Sequence, residues 1–167
     1  MAAPDAPDFL VLAEVDNAAA MAGPLFERKF GHPMPDWPND VIAFVRRGDG
    51  SLYPMSYAKF FPLGSVMLVG GCCTDGRAFD GLDAGQRAQL QGDRSAMVHL
   101  LRYGFRRFAD RCDAYFGYCG DARAWAVDLA AGFVPTEHEK LLVHWHKPLN
   151  AQTQRALVAM AHALGPF

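Results

Sequence analysis

No apolar run among the 167 residues approaches the ~20 that a membrane-spanning helix needs, so a membrane span is not expected. There is no cationic excess either. Sixteen basic residues stand against eighteen acidic ones, and a net charge of −2 with a pI near 6.3 argues against a general nucleic-acid binder, which needs a basic face. The opening MAAPDAPD is acidic and proline-bearing and lacks the basic-then-apolar order of a secretory signal; residues 1–8 read as a loose tail. Cys72, Cys73, Cys112 and Cys119 show no CxxC spacing and fall far short of a disulfide scaffold, so reduced thiols in a cytoplasm are expected. The adjacent Cys72 and Cys73 read as small buried hydrophobes rather than a redox pair. Repeats, low-complexity tracts and dividing linkers are missing, which leaves one domain over residues 1–167. What is present suits a globular core: 51% of residues are hydrophobic and 20% charged.

Along the chain, Phe9–Val15 is a short apolar run that fits a strand or the start of a helix. Asp16-Asn17 is a helix-start signal for residues 18–30, and Gly23-Pro24 predicts a kink or two short helices there. Residues 31–39, with three prolines and Trp37, read as a loop. A meander follows: a strand at 40–47, an Asp-Gly turn at 48–51, a second strand at 52–63 and, after Gly64, an apolar strand at 65–71 with no alternation. A polar loop over 72–91 carries a short helix near 84–90. A long helix over about 96–111 has Met97, Leu100, Leu101, Phe105 and Phe108 on one stripe. A strand at 113–119, a helix from Asp121 to Gly132, a strand within 140–147 and a helix over 150–164 complete the chain. The helical crossover between 65–71 and 113–119 makes those strands parallel. The fold class is α+β, with a mixed, mostly antiparallel sheet, one parallel pair and an additional C-terminal helix.

Residues 119–133, CGDARAWAVDLAAGF, resemble the closing segment of the GCN5-related N-acetyltransferases (GNAT). That family commonly runs Asn, three residues to Ala, four to Tyr, then four to Gly-Phe. Here Ala124 and Gly132-Phe133 stand at those spacings, while Asp121 holds the Asn position and Asp128 the Tyr position. The element order over residues 40–148 is similar too. The family's second hallmark is a Gln/Arg-x-x-Gly-x-Gly/Ala loop, whose backbone N–H groups cradle a pyrophosphate at a helix N-terminus. The nearest match is Gln89-Leu-Gln-Gly92-Asp93-Arg94, with Arg94 where Gly or Ala belongs. Asp93 or Ser95 equally suits a plain helix cap. The resemblance implies a splayed parallel pair that takes the pantetheine arm of acetyl-CoA or another acyl-CoA, with the backbone near Val69 or Gly70 polarising the thioester. Gln89, Gly92, Asp93, Arg94, Ser95 and Asp121 are the other expected cofactor-binding residues. The implied reaction is acyl transfer to an amine acceptor. The family's general acid is the Tyr at the Asp128 position. An ordinary Asp would be ionised there, so either burial raises its pKa or Tyr118, near the end of the strand, donates instead. The rival implication is a catalytically inactive GNAT-fold protein that binds a ligand or a partner; the C-terminal helix suggests a homodimer contact.

Other constellations carry less. His144-Trp145-His146 places two histidines on one strand face, too few for a zinc site, so no metal is expected. Asp75-Gly76-Arg77 is either a turn with a solvated ion pair or a binding group beyond the apolar strand. Arg102, Arg106, Arg107 and Arg111 fit a solvated helix face. Tyr57 and Lys59, two apart, would line an acceptor groove or its wet side. Phe26, Arg28, Trp37, Asp40 and Tyr53 loosely resemble the amine-substrate cluster of acyl-homoserine-lactone synthases.

Overall fold

A computed structural model describes residues 6–167. Seven strands form one sheet in the order β1-β2-β3-β4-β5-β7-β6: β1 is Leu10–Val15, β2 Asp40–Arg46, β3 Leu52–Leu63, β4 Val66–Thr74, β5 Ala114–Tyr118, β6 Val134–Pro135 and β7 Leu141–Trp145. Every pairing is antiparallel except β4–β5, which is parallel as the long crossover requires. The apolar run at Phe9–Val15 resolves as strand, because β2 offers it a partner from Val15↔Asp40 to Leu10↔Val45. Of the expected tail, residues 1–5 lie outside the described residues, whereas Ala6 packs on the core.

Alternation along the strands sorts the helices onto two faces. Val41, Ala43, Val45, Met55, Phe60, Met67, Val69 and Tyr115 meet helix α3 (Ala96–Arg107), joined there by α4 (Ala122–Ala131). On the opposite face, α1 (Ala18–Phe30) covers Ile42, Tyr57 and Cys73, and α5 (Ala151–Leu164) covers Val66, Leu68, Phe116 and Val143. The α5 helix therefore places its buried Val158 and Ala161 on its own sheet.

Two expectations need correcting. Of the kink or two short helices expected over 18–30, the two helices are excluded: the segment is one helix that runs through Pro24. Pro24 lies on the exposed side, and burial of Ala18, Ala22, Leu25 and Phe26 against the sheet offsets the lost hydrogen bond. The α3 helix stops at Arg107 rather than 111, because Phe108 leaves helical geometry as its ring buries against Phe60 at 5.2 Å between centroids. Between β4 and α3 the chain makes a short 3-10 segment over Gly76–Gly81, helix α2 (Ala84–Gln89) with an Asp83/Gln86 capping box, and a 3-10 turn over Gly92–Arg94.

Candidate active site

The β4–β5 pairing runs only from Val66↔Ala114 to Val69↔Gly117. Beyond it, β4 continues to Thr74 along β3, while β5 ends at Tyr118 and turns toward β7 through Cys119 N–H to the Lys140 carbonyl. Two features pull β4 away. Gly71 and Cys72 both face the single residue Ala58 of β3, so β4 bulges there, and Gly71 adopts φ +62, a left-handed geometry that suits glycine. The result is a gap in the strand pairing between residues 70–74 and the end of β5.

The gap has two unlike sides. On the α3/α4 side lie Cys72, Cys119 and Asp128. The Cys119 thiol donates to the Asp121 carbonyl at 3.3 Å and also hydrogen-bonds the Asp128 side chain. Burial raises the Asp128 carboxyl to about 6, an effect that the Cys119 contact only partly opposes. Burial, then the neighbouring Asp128, drives the Cys72 thiol upward, and burial also raises Cys119, so both are neutral thiols. On the α5 side lie Lys59, Tyr118 and Phe167. The Lys59 ammonium sits over Trp37, 3.6 Å from the ring centroid, and burial lowers its pKa. Alternation along β5 puts Tyr118 and Cys119 on opposite faces, so the two expected acid candidates, Tyr118 and Asp128, do not meet.

The expected phosphate-binding residues are brought together in part. Gln89 ends α2 and is exposed. Gly92, at φ +61, opens the turn with Asp93 and Arg94, which are also exposed, and Ser95 caps α3 by accepting from Val98 N–H at 3.3 Å. This turn packs against α3 and α4. Asp121 caps α4, accepting from the N–H groups of Arg123 and Ala124 at 2.9 Å each, and these bonds hold its carboxyl below the usual range. Val69 is the last β4 residue paired with β5, and Gly70 the first beyond it.

The other constellations are engaged elsewhere. The His144 ring stacks on Phe105 at 4.2 Å and its Nδ1 contacts the Gly132 carbonyl at 2.8 Å; burial lowers its pKa. Among the described residues no group of three or more His, Cys, Asp or Glu side chains could hold a metal ion, and no helix is long and apolar enough to cross a membrane. Asp75 is 6% exposed and gathers Arg28 at 2.7 Å, Tyr53 at 2.9 Å and Arg77 at 3.2 Å. Burial would raise its pKa, but these hydrogen bonds outweigh it and leave it low. Tyr57 donates to Asp40 at 2.6 Å, deep under α1. Of the five residues likened to an amine cluster, Arg28 and Tyr53 thus meet at Asp75, Phe26 packs on Tyr57 beside Asp40, and Trp37 pairs with Lys59.

Cys72 and Cys119, expected from the sequence only as reduced thiols, and Phe167, which it did not single out, also lie at the gap. Strand alternation was the available signal for Cys119, which must oppose Tyr118. Nothing local marked Phe167.

No protein-family profile matches the sequence, and no curated protein matches it. Solved structures do. The ribosomal-protein-S18-alanine N-acetyltransferase from Escherichia coli superposes with a TM-score of 0.54 at 12% identity, over 85% of this chain and 97% of that one. An acetyltransferase from Pyrococcus horikoshii gives 0.50 at 11% identity, over 78% of this chain; the match spans only 45% of that protein's length. With its mostly antiparallel sheet, its single parallel pair and the gap that opens there, this chain has the fold of the GCN5-related N-acetyltransferases.

Proposed function

We propose that the chain is an acyl-CoA-dependent N-acyltransferase in which Asp128 is the proton donor. The observation that carries this reading is Asp128 itself. It stands where the family places its acid, beside the gap, and burial holds it near pKa 6 instead of 3.8. A carboxyl so raised is a competent acid at mildly acidic to neutral pH. Residues 70–74 of β4 have no strand on their gap side and offer a pantetheine arm a partner. The backbone near Val69 and Gly70 polarises the thioester carbonyl. Gly92, Asp93, Arg94 and Ser95 at the start of α3, with Gln89 and Asp121 nearby in the fold, receive the phosphates. The Arg94 guanidinium supplies charge where the family has a second small residue.

The amine nitrogen attacks the thioester carbon, the carbon–sulfur bond breaks, and the departing sulfur takes the proton of Asp128. The proton shed by the acylated nitrogen returns to the Asp128 carboxylate through solvent. Products are the amide and free CoA.

A thermal-shift series with acetyl-CoA, longer acyl-CoAs and CoA tests the reading, because a ligand bound only by the native state raises the melting temperature. A rise with acyl-CoAs, followed by acyl transfer that Asp128→Asn suppresses, is expected. No rise with any of them would defeat it. The exposed Asp93, an acid where phosphates would sit, favours one rival: a binding protein without catalysis. Binding of acyl-CoA with no transfer to any amine would select that rival.

A further inference from the structure

We infer that Phe167 stands in the acceptor's place, and that the acceptor is a primary amine carrying an aromatic or bulky apolar group. The inference rests on the acyltransferase reading and concerns the gap's other side. Gly70 is the first β4 residue free of β5, and its α5 side is covered. A Cβ built on Gly70 would lie 3.3 Å from Lys59 Cε and 3.4 Å from the Phe167 carbonyl oxygen. The Phe167 ring meets that of Tyr118 at 6.1 Å, tilted 65°, and Phe167 packs against the buried apolar cluster that includes Leu68, Phe116, Val158 and Ala161.

This placement is built into the chain. Gly165 takes φ 73 and ψ −162, a backbone that a residue with a Cβ adopts only with strain, and it turns the chain off the end of α5. That end is held in turn: the His162 ring stacks on His138 at 3.7 Å between centroids, 3° from parallel.

Asp128 approaches the gap from the α4 side. An amine that attacks the thioester opposite the acid must arrive from the α5 side, and Phe167 occupies that route. Whatever displaces it has to replace a ring against Tyr118 and an apolar cluster. Lys59 lies at the same spot, so a second positive charge on the acceptor would be repelled, which disfavours polyamines. An occupied seat lowers apparent affinity by the fraction of time it is empty, so removing the occupant strengthens binding.

The experiment compares the parent, Phe167→Ala and a deletion of residues 165–167, with 2-phenylethylamine and ethanolamine as probes. Calorimetric titration without acyl-CoA should show 2-phenylethylamine binding tightened about fivefold or more in both variants, with ethanolamine unchanged. Steady-state assays with acetyl-CoA should show the same gain as a lower KM for 2-phenylethylamine. Amide exchange at Gly70 and Gly71 should speed up in both variants. Equal 2-phenylethylamine affinity in all three proteins, or an equal gain for ethanolamine, would overturn the inference. Acetyl-CoA titrated into the same samples separates the two proposals: no acetyl-CoA binding sinks the acyltransferase reading, while the amine titration still decides the seat. Should the deletion lower the melting temperature too far to titrate, Phe167→Ala alone decides.

Discussion

The two halves of β4 are different structures joined end to end. Val66–Val69 lies between two strands, buried on both faces, with Met67 and Val69 toward α3 and Val66 and Leu68 toward α5. Residues 70–74 keep β3 and lose β5, bulge at Gly71-Cys72, and collect a raised carboxyl, two neutral thiols and a lysine around them. The first half builds the fold; the second half leaves backbone without a strand on its β5 side, next to several titratable groups. The difference goes with one residue of register, one left-handed glycine and a change of side chains, from Val-Met-Leu-Val in the first half to Gly-Gly-Cys-Cys-Thr in the second.

Substitutions on either side of the boundary should separate folding from chemistry. The largest effect is expected in the paired half. Phe116 is fully buried opposite Leu68, and Phe116→Ala should cost about 3–5 kcal/mol in a denaturant titration. A loss under about 1 kcal/mol would mean that the pair is not structural.

Asp128→Asn comes next. It should cut the rate of acyl transfer about a hundredfold, the lower range for a general acid, and should remove the decline in rate expected as pH rises through about 6. Its effect on stability has the opposite sign. The folded carboxyl holds its proton up to about pH 6, the unfolded one only to 3.8. Asp128 therefore contributes fully below 3.8, loses that contribution as pH rises to about 6, and above it is a partly buried charge. Asn, neutral throughout, should raise the melting temperature at pH 8, by the equivalent of roughly 3 kcal/mol at most, and leave it unchanged at pH 3.5. Equal melting of the two proteins at pH 8 would contradict a raised Asp128.

Arg94→Ala should weaken CoA binding by about 1.5–3 kcal/mol by calorimetry, the size of a charge-assisted hydrogen bond. The loss should shrink as salt rises, since Arg94 is exposed. Parent-like affinity would remove the turn from the site. Gly92 probes the same turn more gently. Nothing lies within 4 Å of a Cβ built there, but φ is +61, so Gly92→Ala should lose about 1 kcal/mol of stability and Gly92→Asn less. A drop in CoA affinity beyond that strain would show that the ligand needs the space. The smallest effect belongs to the splayed half: Cys72→Ala should change stability by about 1 kcal/mol or less, because no strand and no ion pair depends on the thiol. A cost like that of Phe116→Ala would erase the contrast between the halves.

Much of this architecture was legible one residue at a time. The Leu52–Leu63 strand, the Asp121 and Asn150 helix starts and the parallel crossover follow from local rules of period, capping and connection, and Ser95 proves to be the cap of the two residues, Asp93 and Ser95, that the sequence offered. Asp128 was singled out only through the resemblance of residues 119–133 to the GNAT closing segment, and the structure places it on α4. A break into two helices at Pro24 did not occur, because the sheet that holds the helix in place lies outside any local reading of that residue.

What the sequence determined by itself is the set of elements, their order and the residues that could carry chemistry, because periodicity and caps act within a few residues. Only the tertiary structure decided which of them meet. It set Tyr118 and Asp128 on opposite faces, brought Cys119 to Asp128, joined Arg28 and Tyr53 at Asp75, and laid Phe167 on Gly70, nearly a hundred residues away in the chain. It also raised the carboxyl of Asp128, since a pKa depends on burial, and burial is a property of packing that no local pattern contains.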